Sequence, residues 1–534
     1  MTTSYEEFSP EQEALLGNYV TNTKSSIFAL YNLPEVIKGA LFARYSRSRL
    51  GLRTLLLREF LANQEESGLV GPTASATDQL AAIRKAQQFY DRILDGYGDD
   101  SIGELGGAHL AVENVSMLAA KAIEDCRIGG SPLEKSTRYI YFDQKVRNEY
   151  LFHKEAVLMT SAWREKYLDT CNMLFDTYTK LISPMTTFMM GRYPKEPEVS
   201  TNAYTATIRA KVLDCVRGLL PASTLTNLGL FGNGRFFEAM LHKLQCHNLS
   251  EIKEIGREAY EELAKVIPSF VRRADPNHKT HIGFAAFYDA VHTELKTLAA
   301  EVPVSEESDQ EPSVRLTTYD PDGVYKVAAG LLYPDAGAPW EQLLSYCRKL
   351  PQEALEKIFD SASIPREQRR HKSPRGLENS AYTFELVADF GAYRDLQRHR
   401  MATQDRQLLT CHLGYFIPKE IIEGGVEKEY RTAMAAAKEA YDTIAKDLPE
   451  EAQYVVPMAF RIRWYMTIDL RALQWLCELR SQQAGHPCYR LIAQQMAHAV
   501  SEQQPALARF FKFVDYSGDG MGRLEQEVRA EKKA

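Results

Sequence analysis

Two short segments concentrate side chains able to hold an anion. The first is YRDLQRHRMATQDRQ, Tyr393 to Gln407, in which Arg398, His399 and Arg400 are consecutive. Helical spacing would set Arg394 beside Arg398 and Asp395 beside His399. Guanidinium groups are permanently charged forks that match phosphate or carboxylate and stack on flat rings, so this triplet suits an anion or an electron-rich heterocycle. The second is RIGGSPLEKSTRYIYF, Arg127 to Phe142, where two glycines precede Ser136 and Arg138. In an extended chain those two side chains share one face and form a compact phosphate grip. Each segment also has an ordinary reading. A basic triplet on a helix is commonly a solvated surface, and a serine entering a strand commonly makes a local turn bond.

Other reactive side chains point nowhere specific. The spacings His242 to His247 and His278 to His281 could mimic metal pairs, but no glutamate motif accompanies them. No metal site is expected. The eight cysteines include no CxxC, which gives neither a disulfide framework nor a zinc site. Cys126 and Cys411 read as small packing residues.

The elements that position these segments come from a chain of 534 residues in which hydrophobic residues are 45% and charged residues 25%. These are the averages of soluble globular proteins. The net charge of −7 gives no whole-chain attraction to nucleic acid or to a membrane surface. No apolar run approaches a membrane span, and MTTSYEEFSPEQ lacks the apolar core of a signal peptide, so a cytoplasmic location is expected. An acidic, proline- and serine-rich stretch at residues 301–313 reads as a linker. It separates a first domain, 1–300, from a second, 314–534. The two domains look like copies. Glu104 precedes Arg127, RGLLP (Arg217 to Pro221) and Asn233 in the first, as Glu378 precedes Arg400, YVVP (Tyr454 to Pro457) and Asp469 in the second, with about 37 extra residues in the first copy near 143–210.

Periodicity predicts helices at 167–181, 250–266, 426–447 and 489–503. β-rich runs at 137–142 and 382–387 predict strands. The fold class is α/β (α+β), a mixed sheet packed with long helices in each copy.

The segment SIGELGGAHLAVENVSMLAAKAIEDCRIGGSPLEKSTRYIYF, Ser101 to Phe142, resembles the flavin-dependent thymidylate synthases. Their pattern runs from a Glu-His pair through an apolar stretch to Arg-His-Arg and then Glu-x-Ser-x-Arg-Tyr. RGLLPASTLTNLGLFGNGR resembles the family's Arg-x-x-Leu-Pro segment. The second copy is similar through HKSPRGLENSAYTFELV, QRHR and TIDLRALQWLCELR. The resemblance implies a one-carbon transfer from methylenetetrahydrofolate to dUMP, with FAD carrying hydride from NADPH. It implies nucleotide and phosphate contacts at Glu134, Ser136, Arg138, Arg217 and Asp395. Flavin contacts fall at His371, Ser373, Glu378, Arg398, His399, Arg400 and Asp469. Arg480 falls against the uracil and, with Arg398, is a catalytic candidate.

Departures from the pattern divide between the copies. The first has Asp125 and Cys126 where the family has Arg-His, yet keeps Glu134, Ser136, Arg138 and Arg217. The second keeps Arg-His-Arg, but reads Leu408, Leu409, Thr410 at the phosphate grip and has Gln453 in place of Arg217. Family members are homotetramers with sites between subunits, so a tandem chain implies composite sites and a homodimer acting as a pseudo-tetramer. Two other readings remain open: an enzyme modifying another pyrimidine nucleotide, to which Asp395 in place of the usual glutamine points, and a non-catalytic nucleotide-binding descendant.

Overall fold

The structure, a computed structural model, describes residues 7–45, 48, 50–61, 103–126, 128–303, 312–518 and 520–532. Arg127 and most of the acidic linker lie outside the described residues. Two compact units emerge: 1–113 with 128–134 and 227–304, and 114–127 with 135–226 and 305–534. The division does not follow the linker. Much of the first copy belongs to the same unit as the whole of the second.

The fold is mixed α and β. The strands of the first copy, Gly107–Ser116, Leu225–Asn233 and Gly130–Glu134, lie side by side in that order. The helices Gly234–Gln245 and Ser250–Val266 belong to the first unit. In the second unit a four-stranded antiparallel sheet runs Ser313–Tyr319, Ala381–Asp389, Arg461–Asp469, Ala402–Arg406. Alternation explains its buried face. Tyr382, Phe384, Leu386 and Ala388 stand opposite Ile468, Met466, Trp464 and Ile462, and all eight are buried. Burying the larger of these side chains stabilises by roughly 1.5–3 kcal/mol each.

The strand ends deliver the functional helices. Asp389 ends one strand and caps Phe390–Leu396 by accepting from Ala392 N at 2.9 Å. Asp469 ends its neighbour and caps Leu470–Arg480 through Ala472 N at 2.9 Å. Each carboxylate satisfies an otherwise orphaned amide of the first turn.

The repeat is visible as a symmetric backbone pattern within the second unit. Ala222 N donates to Val456 O at 2.8 Å while Met458 N donates to Leu220 O at 2.9 Å. Ser223 N to Tyr454 O (3.0 Å) is likewise matched by Ala459 N to Gly218 O (2.9 Å), around a bridge between Pro221 and Pro457. The prolines that anchored the sequence comparison therefore meet. Gly218 must remain bare there, because a Cβ would come within 2.3 Å of Tyr430 Oη.

Helices appear at Arg164–Arg192, Ser250–Val266, Glu427–Ile444 and Pro487–Gln503, covering the four expected from periodicity. The strand at Ala381–Asp389 contains the expected 382–387. The strand expected at 137–142 is instead a turn, and the strand of that region is Gly130–Glu134. The extra residues of the first copy include much of the helix Thr201–Val216, which ends directly at Arg217.

Candidate active site

The helix Thr201–Val216 carries a single acid, Asp214, one turn before its end. Arg138 clamps that carboxylate with both arms of its fork: Nε to Oδ1 at 2.7 Å and Nη2 to Oδ2 at 2.8 Å. Arg138 Nη1 also donates to Tyr489 Oη at 3.0 Å, and Nη2 to Ala484 O at 3.2 Å. Burial alone would raise the Asp214 carboxyl, but the Arg138 guanidinium outweighs it and holds the group at about 2. His486 closes the cluster. Its Nε2 lies 3.2 Å from Asp214 O, and its Nδ1 accepts from Cys488 N at 3.3 Å, capping the helix Pro487–Gln503. Burial, reinforced by Arg217, pushes it down to about 3, so this imidazole is neutral.

Arg217 is the next residue along, buried at 4% exposure. Its Nη1 stands 3.9 Å from Asp395 Oδ2, while Arg480 Nη1 stands 3.8 Å from Asp395 Oδ1. Both separations exceed a hydrogen bond. Arg217 Nη2 is buried with no hydrogen-bond partner among the described residues. Burial acts to raise the Asp395 carboxyl, yet the guanidinium groups of Arg217, Arg480, Arg398 and Arg138 hold it below its ordinary value. Arg480 Nε donates to His399 Nε2 at 2.9 Å, which puts the His399 proton on Nδ1. Burial, with Arg480 alongside, lowers His399 well below the usual imidazole range. Arg480 also lies over the Tyr489 ring, 5.6 Å from its centroid. The cluster therefore joins two arginines of the first copy to Arg480 and neutral His399 of the second around an ionised Asp395.

Beside it runs a cleft of about 560 Å³ bordered by His371, Ser373, Glu378, Arg398, His399, Arg400 and Asp469. Arg366, Arg369, Lys372 and Arg471 add positive charge to its wall, and Trp475 adds a flat apolar face with Arg369 5.0 Å over the ring. Some of these groups are already committed. Ser373 Oγ donates to Gln474 Oε1 at 2.7 Å, and Glu378 accepts from Arg471 Nη1 at 2.8 Å and from Arg375. The cations at the rim suit a bridging anion such as pyrophosphate, and Trp475 suits a planar ring.

A family model described as thymidylate synthase complementing protein matches residues 59–269 and 315–506. The chain belongs to the thymidylate synthase complementing protein family. The two matched regions are the two copies. A UPF0159 protein of Chlamydia pneumoniae is 55% identical over 526 residues, spanning 98% of each chain. A UPF0159 protein of Thermoplasma acidophilum is 33% identical over 523 residues, covering 93% of this chain and 99% of its own. Among solved structures, a UMP/dUMP methylase from Streptomyces cacaoi bound with 5-Br dUMP aligns at 16% identity and a TM-score of 0.31, covering 41% of this chain and 98% of its own.

Of the residues that the resemblance to this family singles out for nucleotide, Arg138, Arg217, Asp395 and Arg480 share the cationic cluster. Ser136 makes a local bond instead, its Oγ accepting from Arg138 N at 3.2 Å. Glu134 ends the strand Gly130–Glu134, buried in the other compact unit. All seven residues singled out for flavin line the cleft. The helical spacing expected around Arg398 fails, because the helix stops at Leu396 and the triplet occupies the turn before the strand Ala402–Arg406. Tertiary donors explain the stop: Gln397 O is taken by Gln404 Nε2 at 2.8 Å, and Gln397 Nε2 is spent on Lys121 O at 3.0 Å. Asp214, His486 and Tyr489 were missed by sequence reasoning. His486 had a usable signal, a polar residue directly before Pro487 at a helix start, whereas Asp214 had none beyond being a lone acid on its helix.

Proposed function

We propose that this chain is a flavin-dependent thymidylate synthase with a composite site, transferring a one-carbon unit from methylenetetrahydrofolate to carbon 5 of dUMP. The observation that carries this reading is Arg217: a buried guanidinium, its Nη2 without a partner among the described residues, beside Asp395 and Arg480. Leaving such a donor unsatisfied is costly, and a phosphate oxygen supplies the missing acceptor. In this reading Arg217 and Arg138 hold the nucleotide phosphate. Arg480, oriented by neutral His399, faces the uracil carbonyl, where a charged donor in a dry site is worth on the order of 2.7–4 kcal/mol.

FAD suits the neighbouring cleft by donor set, and at about 560 Å³ the cleft lies within the roughly 300–1,000 Å³ common to small-molecule sites. Arg398, Arg400 and Arg471 would hold it, with His371, Ser373, Glu378 and Asp469 shaping the wall. The flavin supplies hydride transfer, with NADPH as reductant. Two chains pairing as a homodimer would present a pseudo-tetramer with two working sites.

Equilibrium binding of dUMP tests the reading. Micromolar or tighter binding by the wild type, weakened in Arg217→Met, supports it; failure to bind any pyrimidine nucleotide overturns it. Asp395 favours a second reading. An ionised carboxylate only accepts hydrogen bonds, so it suits a ligand offering an extra donor, such as a ribose 2′-hydroxyl. Tighter binding of UMP than of dUMP would move the assignment to another pyrimidine nucleotide.

A further inference from the structure

The segment of the first copy that corresponds to the Arg-His-Arg triplet has turned acidic, and its position gives it a task. Glu124 ends the helix Met117–Glu124, directly before Asp125 and Cys126. Its side chain is 1% exposed, and Oε2 accepts from Lys121 Nζ, which is equally buried, and lies 3.5 Å from Arg398 Nε. The neighbouring Gln397 reaches the same segment twice, through Lys121 O at 3.0 Å and Asp125 Oδ1 at 3.4 Å. Two turns, one from each copy, thus clasp each other.

Symmetry gives the clasp its meaning. In an isologous pair of identical subunits, a residue near the twofold axis faces its own copy. The second copy has Gln397 at the position of Glu124, so a symmetric pairing of two second copies would set a neutral amide against Arg398. A duplicated chain is free of that constraint and can set an acid against the surviving cation. Opposite charges a few ångströms apart attract and like charges repel, the more so away from water.

We infer that Glu124, seconded by Asp125, is a positioning residue that orients Arg398 toward the cleft. The disused half-site has become the counter-charge of the working one. Arg398 lines the cleft and is one-third exposed, with Glu124 Oε2 against its Nε. The inference rests on the flavin reading for its consequence in binding, but the clasp itself is a property of the protein alone.

A double-mutant cycle separates the two. Glu124→Gln, Arg398→Ala and the double variant are compared by urea unfolding without ligand, and again by FAD affinity read from visible absorption. Because Glu124 also accepts from buried Lys121, the cycle is repeated in a Lys121→Met background, which tells a coupling carried by Lys121 from one carried by Arg398. The expected result is a positive coupling between positions 124 and 398 in unfolding, and a 5- to 20-fold loss of FAD affinity in Glu124→Gln that disappears once Arg398 is alanine. Glu124→Asp should recover part of that affinity. Additive effects in unfolding in the Lys121→Met background would overturn the clasp. Coupling in unfolding with a Glu124 effect on FAD that persists without Arg398 would overturn the positioning role. Absence of FAD binding in the wild type would instead refute the flavin reading, leaving the unfolding cycle to decide the clasp.

Discussion

Replacing Arg217 with methionine separates binding from folding at this site. The guanidinium is 4% exposed, its Nη2 has no partner among the described residues, and its Nη1 stands 3.9 Å from Asp395. Burying a charge without hydrogen bonds costs free energy that a methionine of similar length avoids. Arg217→Met should therefore cost less stability than Arg138→Ala, since Asp395 loses Arg217 but keeps the guanidinium groups of Arg480, Arg398 and Arg138. Binding should fall, since a charge-assisted hydrogen bond contributes about 1.5–3 kcal/mol, or roughly 10- to 100-fold in affinity. The assay is paired: calorimetric titration with dUMP and urea unfolding of the same preparation. Arg138→Ala provides the contrast, because it abandons Asp214, whose carboxylate depends on that guanidinium. Breaking such a pair costs about 3–5 kcal/mol. Wild-type affinity in Arg217→Met, or a loss of stability as large as that of Arg138→Ala, would refute the reasoning.

The buried imidazoles predict a pH dependence. His486 sits at about 3 in the folded chain against an ordinary 6.5, so the unfolded chain takes up a proton that the folded chain refuses. Its contribution is complete above about pH 6.5 and is lost at about 1.4 kcal/mol per pH unit as the pH falls toward 3. Urea midpoints of the wild type and of His486→Gln should keep a constant offset above pH 6.5, and the wild type should lose stability relative to the variant as the pH falls from 6.5 toward 3; parallel profiles across that window would contradict this. Gly218→Ala forces a methyl group against Tyr430 Oη and Ala459 Cβ. It should destabilise by about 1–3 kcal/mol in thermal unfolding, and an unchanged melting temperature would argue against the close crossing of the two proline segments.

Much of the architecture was legible because it rests on local rules. The helices Ser250–Val266 and Glu427–Ile444 follow from periodicity, and the strand Ala381–Asp389 from the β-rich run at 382–387. The duplication was legible through Pro221 and Pro457, which lie opposite each other while their neighbours bond across the repeat. What failed did so through tertiary contacts. TRYIYF has strand composition, but Arg138 is drawn to Asp214 and Tyr489, and the chain turns there. The Arg-His-Arg triplet has helical neighbours, but Gln397 is held by Lys121 and Gln404. The cluster itself was half legible: Arg217, Asp395 and Arg480 follow from motif order, whereas Asp214, contributed by a helix of the first copy alone, carries no pattern.

The proposed composite site also implies a stoichiometry. In the second copy Gln453 Oε1 accepts from Leu409 N at 3.1 Å and from Arg406 Nη1 at 3.3 Å, so the loop that would grip a second phosphate is tied to its own chain. The most direct measurement of the central claim is a visible-absorption titration of the flavin-loaded protein with dUMP. The account predicts a shift of the flavin band that saturates at about one nucleotide per chain and disappears in both Arg217→Met, in the first copy, and Arg398→Ala, in the second. A band indifferent to dUMP, saturation at two nucleotides per chain, or a shift that survives either substitution would contradict it.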